Sequence, residues 1–157
     1  MSTPPVTLDR AGIAARVPHH GAMCLLDSME SCSADEIVCR IANAADAAHP
    51  LRLDQRLPAA SALEYASQAM ALHGALAAAG GKAPTSGFLA SARDVRLHAE
   101  RLDTAPGPLR VHARRLAGDA GQAMYRFELR DAHGRLLAEG RTTVVLDTPL
   151  ASPVAAR

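Results

Sequence analysis

The sequence predicts an α+β fold in which a curved antiparallel sheet wraps one long central helix. Residues 57–79 are the only long segment with uninterrupted helical character, and they are apolar on almost every side, which is typical of a buried helix. Segments with strand character stand before and after this helix and do not alternate with further helices. That order disfavours a wound parallel sheet and favours an antiparallel sheet packed on the helix.

Composition limits the classes of function. The 157 residues carry 17 basic and 16 acidic side chains and no basic block, so we expect one domain that does not bind nucleic acid. Three cysteines without C-x-x-C spacing predict free thiols in a cytoplasmic protein. No histidine pair has convincing metal-ligand spacing, and Glu64 and His73 argue against a membrane span in the helix. We expect neither a cofactor nor a metal.

The N-terminal segment, residues 1–16, is predicted to be an arm followed by a short helix. The first six residues are expected to be loose. Thr7 is placed to cap a helix over Leu8–Arg16, with Asp9 in the first turn, where a negative charge is favourable.

The main domain is predicted over residues 17–146. Two antiparallel strands open it, over Met23–Glu30 and Glu36–Asn43, with turn residues between them. The central helix follows, and Pro58 suits its first turn, where a missing N–H costs nothing. Gly80-Gly81 is expected to end the helix, as glycine does just past a helix.

Four more strands are predicted after the helix, and the last two are joined by a hairpin turn at residues 131–134. They form a predicted meander over Phe88–Arg96, Pro108–Leu116, Gln122–Arg130 and Arg135–Leu146. The sheet is thus expected to have about five to seven strands, with an edge strand that is free to pair with a second subunit. The tail, residues 147–157, has no pattern and is expected to be disordered.

Two polar residues interrupt the apolar surface of the central helix. Glu64 and Gln68 are four residues apart and therefore lie on one face. A carboxylate in such a place must be paired, neutral or at an interface. Glu64 is accordingly the candidate functional residue, and an interface carboxylate paired with an arginine is the alternative interpretation.

Three motifs follow one another along the chain. Residues 18–27 read PHHGAMCLLD, residues 58–68 place a proline six residues before Glu64, and Gly87-Phe88 opens the next strand. In this order they resemble the β-hydroxyacyl-acyl carrier protein dehydratases of the hot-dog fold. The resemblance covers about residues 16–146 and is closest to the dehydratase-like subunits of aryl-polyene pigment pathways.

The resemblance implies a set of site residues. In that family a histidine from a His-Phe-Pro-Gly loop, fourteen residues before the helix acid, acts with the acid of the opposite protomer. His49 stands one position early and is followed by Pro-Leu-Arg. His49 and Glu64 are therefore the implied catalytic residues. The implied substrate-binding residues are Ala59, Gln68, Gly87 and Phe88.

Dehydration of a 3-hydroxyacyl thioester needs a base at Cα and an acid at the hydroxyl group. A histidine suits the first role, and Glu64 suits the second if burial raises its pKa. The N–H of Ala59 is placed to donate to the thioester carbonyl, and Gln68 to orient the Glu64 carboxyl group. His19 and His20 are expected to bond backbone at a turn, and His19 is an alternative base lining the cleft.

The resemblance thus implies a cytoplasmic dehydratase that converts a carrier-protein-bound 3-hydroxyacyl thioester to the trans-2-enoyl thioester in fatty-acid or polyene biosynthesis. The expected partners are an acyl carrier protein and a second hot-dog subunit, either an identical one or a paralogue. Two other functions stay open. One is an acyl-thioester hydrolase of the same fold, and the other is a non-catalytic subunit that completes the active site of a paralogue.

Overall fold

The computed structural model describes residues 7–77, 87–119 and 121–146. Its six strands are β1 (Ser28–Cys32), β2 (Glu36–Ile41), β3 (Gly87–Leu97), β4 (Leu109–Gly118), β5 (Gln122–Arg130) and β6 (Leu136–Leu146). The helices are α1 (Arg10–Ala14) and α2 (Ala62–Ala77). All strand pairs are antiparallel, in the spatial order β1-β2-β4-β5-β6-β3. The predicted fold class is confirmed.

The central helix begins later than predicted. A turn of 3₁₀-helix over Ala59–Ser61 precedes α2. Pro58 has an extended ψ of 146° and forms a bridge with Arg101. The proline therefore stands before the helix and not within its first turn. The predicted end of the helix at Gly80-Gly81 lies outside the described residues.

Helix α2 is buried along most of its circumference, as the sequence predicts. It packs on β2, β4 and β5. Because many of its contacting residues are alanines, the sheet can approach the helix axis closely. The buried residues of α2 are Ala62, Tyr65, Ala66, Gln68, Ala69, Met70, Leu72, His73 and Ala75.

Side chains on β4 and β5 alternate between the core and the outer face of the sheet. The alternation in β4 predicts that Leu109, Val111 and Ala113 share one face with Arg115. The first three are buried, and the residues between them face outward. In β6, Gly140 lies opposite Phe127. A Cβ atom at Gly140 would come within 3.0 Å of the Phe127 ring, so glycine permits this aromatic contact.

The N-terminal elements differ from the prediction in their bounds. Helix α1 is capped by Asp9, whose carboxylate accepts from the Gly12 N–H at 2.8 Å, and not by Thr7. The carboxylate is the stronger acceptor and fixes the helix start two residues later. The first strand begins at Ser28 and not at Met23, because Gly21 takes a left-handed φ of 59° and opens a 3₁₀ turn.

The predicted meander of four strands is wrong in one respect. Strand β3 does not pair with β4, which follows it along the chain, but with β6 at the edge of the sheet. Strands β4, β5 and β6 do form a meander. Three apolar side chains of β3 are exposed, namely Phe88, Leu89 and Leu97. The fold thus has an eleven-residue edge strand.

Several sequence-based expectations concern the ends of the chain and its chemistry. The loose arm at residues 1–6 and the disordered tail at 147–157 lie outside the described residues. Cys24, Cys32 and Cys39 are free thiols, as predicted. In the described ranges, no helix is long and apolar enough to cross a membrane, and no group of His, Cys, Asp and Glu side chains could hold a metal ion.

Asp103 fixes the chain segment that leads into α2. The Leu57 N–H donates to Asp103 Oδ1 at 2.9 Å, and the Arg101 guanidinium binds the same carboxylate. The Asp103 side chain is almost completely buried. The pKa of Asp103 is held well below its ordinary value of 3.8, chiefly by the bond from Arg101 and against the effect of burial.

We expect Asp103→Ala to lower the free energy of unfolding by about 1–3 kcal/mol, because the Leu57 N–H loses its acceptor. A carboxyl group with a depressed folded-state pKa stabilises the fold above its unfolded pKa, and this stability is lost as the pH falls further. The difference between wild type and variant should therefore shrink below about pH 4. Urea unfolding at pH 7 and pH 3 measures this difference.

Glu100→Ala is the matched control, because Glu100 is exposed and has no ion pair with another described residue. We expect it to change the free energy of unfolding by less than about 0.5 kcal/mol. An Asp103→Ala effect that is equally large at both pH values would contradict the role assigned to the carboxylate.

Candidate active site

The segment between α1 and β1 lies against α2 and is held there by Gln68. The Gln68 side chain is fully buried. Its Oε1 accepts from the Leu25 N–H at 2.9 Å, and its Nε2 donates to the Met23 carbonyl at 2.7 Å. The Cys24 thiol donates to the His19 carbonyl at 3.1 Å. These bonds place His19 above the N-terminal part of α2.

The structure brings His19 and Glu64 together. His19 Nε2 lies 2.9 Å from Glu64 Oε1, and Gln68 Nε2 donates to the same oxygen at 3.1 Å. The His19 and Glu64 side chains are 26% and 32% exposed, so the pair opens to solvent. Both contacts use Oε1, and Glu64 Oε2 has no hydrogen bond or ion pair with another described residue.

Glu64 is held in its ionised form. The hydrogen bond from His19 lowers the pKa of Glu64 below its ordinary value of 4.5, and the bond from Gln68 acts in the same direction. Burial alone would raise the pKa, but it is the smaller effect. The expectation that desolvation keeps Glu64 protonated is therefore wrong, because two N–H donors stabilise the charge.

The surroundings of His19 favour one tautomer of its ring. Nδ1 is buried and has no hydrogen-bond partner in the described part of the chain. A proton on Nδ1 would be a buried donor without an acceptor, which costs free energy. Of the two neutral tautomers, the one favoured carries its proton on Nε2, which donates to the Glu64 carboxylate.

His49 lies in a different network. Its side chain is only 5% exposed, and its Nδ1 accepts from the Leu51 N–H at 3.1 Å. Nε2 therefore carries the proton and donates to the Tyr65 hydroxyl at 2.8 Å, which in turn donates to Asn43 Oδ1 at 3.0 Å. Burial is the main cause that lowers the pKa of His49. Both ring nitrogens are occupied within the chain.

The other predicted site residues are not gathered around Glu64. The sequence-based expectation is that the Ala59 N–H donates to the thioester carbonyl. In the structure this N–H donates instead to the Glu100 carbonyl at 3.2 Å, so it is not free for that role. Gly87 and Phe88 open the edge strand β3, and their role in substrate binding stays a prediction. Within one chain, no hydrogen bond or ion pair joins His49 and Glu64. The resemblance places those two residues in opposite protomers, and this assignment stays a prediction.

Two residues of the site region were not singled out from the sequence. Tyr65 follows Glu64 directly, but consecutive helical residues point about 100° apart, so it faces the core and His49. Asn43 lies just after β2 and donates to the Leu25 carbonyl at 3.2 Å. The sequence signals that point to them are a tyrosine within an otherwise apolar helix and an asparagine at the end of a strand.

Comparison with known proteins identifies the family. The model of the ApeP-like family, described as ApeP dehydratase, matches residues 11–153. The chain belongs to the ApeP-like dehydratase family. The resemblance to aryl-polyene dehydratase-like subunits is thereby confirmed. A comparison of this ApeP-like chain with curated proteins gives no significant match.

Several solved structures share the fold of this ApeP-like protein. The dehydratase heterocomplex ApeI:P from Xenorhabdus doucetiae matches with a TM-score of 0.73 and 22% identity, over 85% of this chain and 90% of that chain. Thioesterase HI1161 from Haemophilus influenzae matches with a TM-score of 0.58 and 13% identity, over 90% and 92%. AziG from S. sahachiroi matches with a TM-score of 0.56 and 19% identity, over 75% and 88%. At these identities the similarities establish the hot-dog fold alone.

Proposed function

We propose that this chain dehydrates a 3-hydroxyacyl thioester, carried by an acyl carrier protein, to the trans-2-enoyl thioester in a polyene-type biosynthesis. The observation that most supports this proposal is the hydrogen bonding and exposure of the Glu64 carboxylate. Its Oε1 is held by two N–H donors, while Oε2 has no described partner and the side chain is one-third exposed. Membership of a dehydratase family supports the reaction class.

Glu64 carries the proton transfer in this proposal. Oε2 accepts the proton from Cα, which the adjacent thioester carbonyl acidifies, and the electron pair of the C–H bond forms the double bond. The bond between Cβ and the hydroxyl oxygen breaks. The Glu64 carboxyl group then gives the same proton to the departing hydroxyl group, so that water leaves and the carboxylate is restored. His19 and Gln68 keep donating to Oε1 throughout.

The resemblance implies a different division of roles, with Glu64 as the acid and a histidine as the base. The lowered pKa of Glu64 weighs against that assignment, because an acid must hold its proton at the working pH. The two assignments predict opposite changes of kcat/KM with pH. If ionised Glu64 is the acceptor, kcat/KM rises with pH through the Glu64 pKa, below 4.5. If Glu64 is the acid, kcat/KM falls over the same interval.

A second hot-dog subunit is part of the proposed enzyme. Strand β3 leaves one edge of the sheet open, and edge strands commonly pair across a dimer. The Ala59 N–H is already bonded, so the donor to the thioester carbonyl is assigned to the second subunit. The similar ApeI:P structure is a heterocomplex, and we therefore propose a paralogue as the partner.

The decisive experiment assays the purified chain on a 3-hydroxyacyl carrier protein, first alone and then with a candidate paralogue. We expect loss of one water per carrier, seen by mass spectrometry, only when both subunits are present. Release of the free carrier thiol instead would favour the acyl-thioester hydrolase, since an ionised carboxylate can also activate water. Turnover by the chain alone would contradict the composite site, and no reaction in either mixture would overturn the dehydratase proposal.

A further inference from the structure

Four arginines from four neighbouring strands form one row across the outer face of the sheet. Arg114 lies opposite Arg126 in the β4–β5 pair. Arg126 lies opposite Arg141, and Arg141 opposite Arg93. All four are exposed. We call this set the arginine row.

The arginine row faces away from α2. Its members on β4 and β5 alternate with core residues such as Ala113 and Phe127, and side chains on a strand point alternately to opposite faces. The core residues pack on the helix side, so the row lies on the opposite face of the sheet. The row therefore does not line the cleft that holds Glu64.

Much of the charge of the row is not neutralised within the chain. Like charges directly opposite each other on neighbouring strands are destabilising. On this face Glu128 pairs with Arg130 and Asp94 pairs with Arg141. Glu36 lies opposite Arg114, but its carboxylate contacts His112 Nε2 at 3.0 Å and makes no ion pair with Arg114. Arg93, Arg114 and Arg126 have no ion pair with any described residue, although the net charge of the chain is only +1.

The dimensions of the row fit a helix that presents carboxylates. Neighbouring strands lie about 4.8 Å apart, so four arginines span about 14 Å. An α-helix repeats every 5.4 Å, so acidic residues on one helix face recur at nearly the same spacing. Two depressions of about 220 and 260 Å³ flank Arg141, and Met124 gives the first an apolar wall. These depressions provide room for side chains of a partner.

We propose that the arginine row is the docking surface for the acidic face of the carrier protein that delivers the substrate. This inference rests on the proposed function. Guanidinium groups bind carboxylates through two parallel hydrogen bonds, and a local excess of positive charge accelerates encounter with an acidic partner. The row ends on edge strand β3, so the bound carrier stands next to the junction with the second subunit.

The test separates docking from chemistry. The double variant Arg114→Gln/Arg126→Gln is assayed with the paralogue on two substrates, the 3-hydroxyacyl carrier protein and the same acyl group on pantetheine. We expect KM for the carrier substrate to rise about tenfold or more with kcat unchanged, while the kinetics on the pantetheine thioester stay as in wild type. The control Arg56→Gln/Arg135→Gln removes the same charge from two exposed residues outside the row and is expected to keep both activities.

Direct binding of the unloaded carrier protein, measured by calorimetry at two salt concentrations, decides the question even if the enzyme proves inactive on both substrates. We expect the wild-type chain and the control variant to bind the carrier protein more weakly as salt rises. We expect the Arg114→Gln/Arg126→Gln variant not to bind it. Equal carrier affinity or equal KM in the row variant and the control would overturn the proposal. Binding of a DNA duplex or of anionic vesicles that depends on the row, without carrier binding, would likewise overturn it. Absence of activity on pantetheine with intact carrier binding counts against the proposed function alone.

Discussion

Replacement of Glu64 by glutamine is expected to abolish dehydration while the fold is retained. The amide oxygen of glutamine can still accept from His19 and Gln68, so the contacts at Oε1 remain. An amide can neither take the proton from Cα nor deliver it to the departing hydroxyl group. A positioned proton-transfer group contributes typically about 10²–10⁴-fold, and kcat should fall by that factor. The assay uses the chain with the proposed paralogue on a 3-hydroxyacyl carrier protein.

Glu100→Gln is the matched control for this variant, because it removes one exposed carboxylate outside the site. Its kcat should equal that of the wild type. Urea midpoints of both variants at pH 7 report whether the fold is kept. Full turnover by Glu64→Gln with an unchanged midpoint would remove Glu64 from the mechanism.

His19→Asn is expected to lower kcat/KM by about 10- to 100-fold and to move the acidic limb of the pH profile upward. The bond from His19 is the largest cause of the lowered Glu64 pKa. Without it, burial raises the pKa, so Glu64 is ionised only at higher pH. The measurement is the pH dependence of kcat/KM for wild type and variant. A merely structural role would lower activity equally at every pH.

Two further variants complete the His19 experiment. His20→Asn changes the exposed neighbouring histidine and should leave the profile unchanged. His49→Ala tests the base implied by the resemblance. Loss of turnover in that variant, with an unchanged urea midpoint, would support His49 as the base, and retained turnover would leave it a structural residue of the Tyr65 network.

The sequence predicts most of the architecture because the patterns that specify helices and strands lie among neighbouring residues. The apolar surface of the central helix and the alternation in β4 are patterns of neighbouring residues, and the structure bears out both. The pairing of β3 with β6 is not local. Nothing in residues 87–97 shows which strand they will join, so the predicted meander failed at that point.

The site is less predictable because its decisive contacts join distant parts of the chain. His19 and Glu64 are 45 positions apart, and the sequence gives the types of these residues but not their distance. The sign of the Glu64 pKa shift depends on that distance, since burial alone predicts the opposite direction. The arginine row was missed for the same reason. Its members come from four strands, so no basic block appears in the sequence.

The open edge at β3 bears on how a cell must supply this protein. An unpaired strand edge is a template for self-association, and here the edge also displays Phe88, Leu89 and Leu97 to solvent. If the proposed second subunit pairs with β3, a chain made in excess of that subunit would keep this apolar edge exposed. Balanced synthesis of the two chains, for instance from one transcript, covers the edge as soon as it forms. In the proposed enzyme, matched amounts of the two subunits would then protect the protein against aggregation as well as complete the active site.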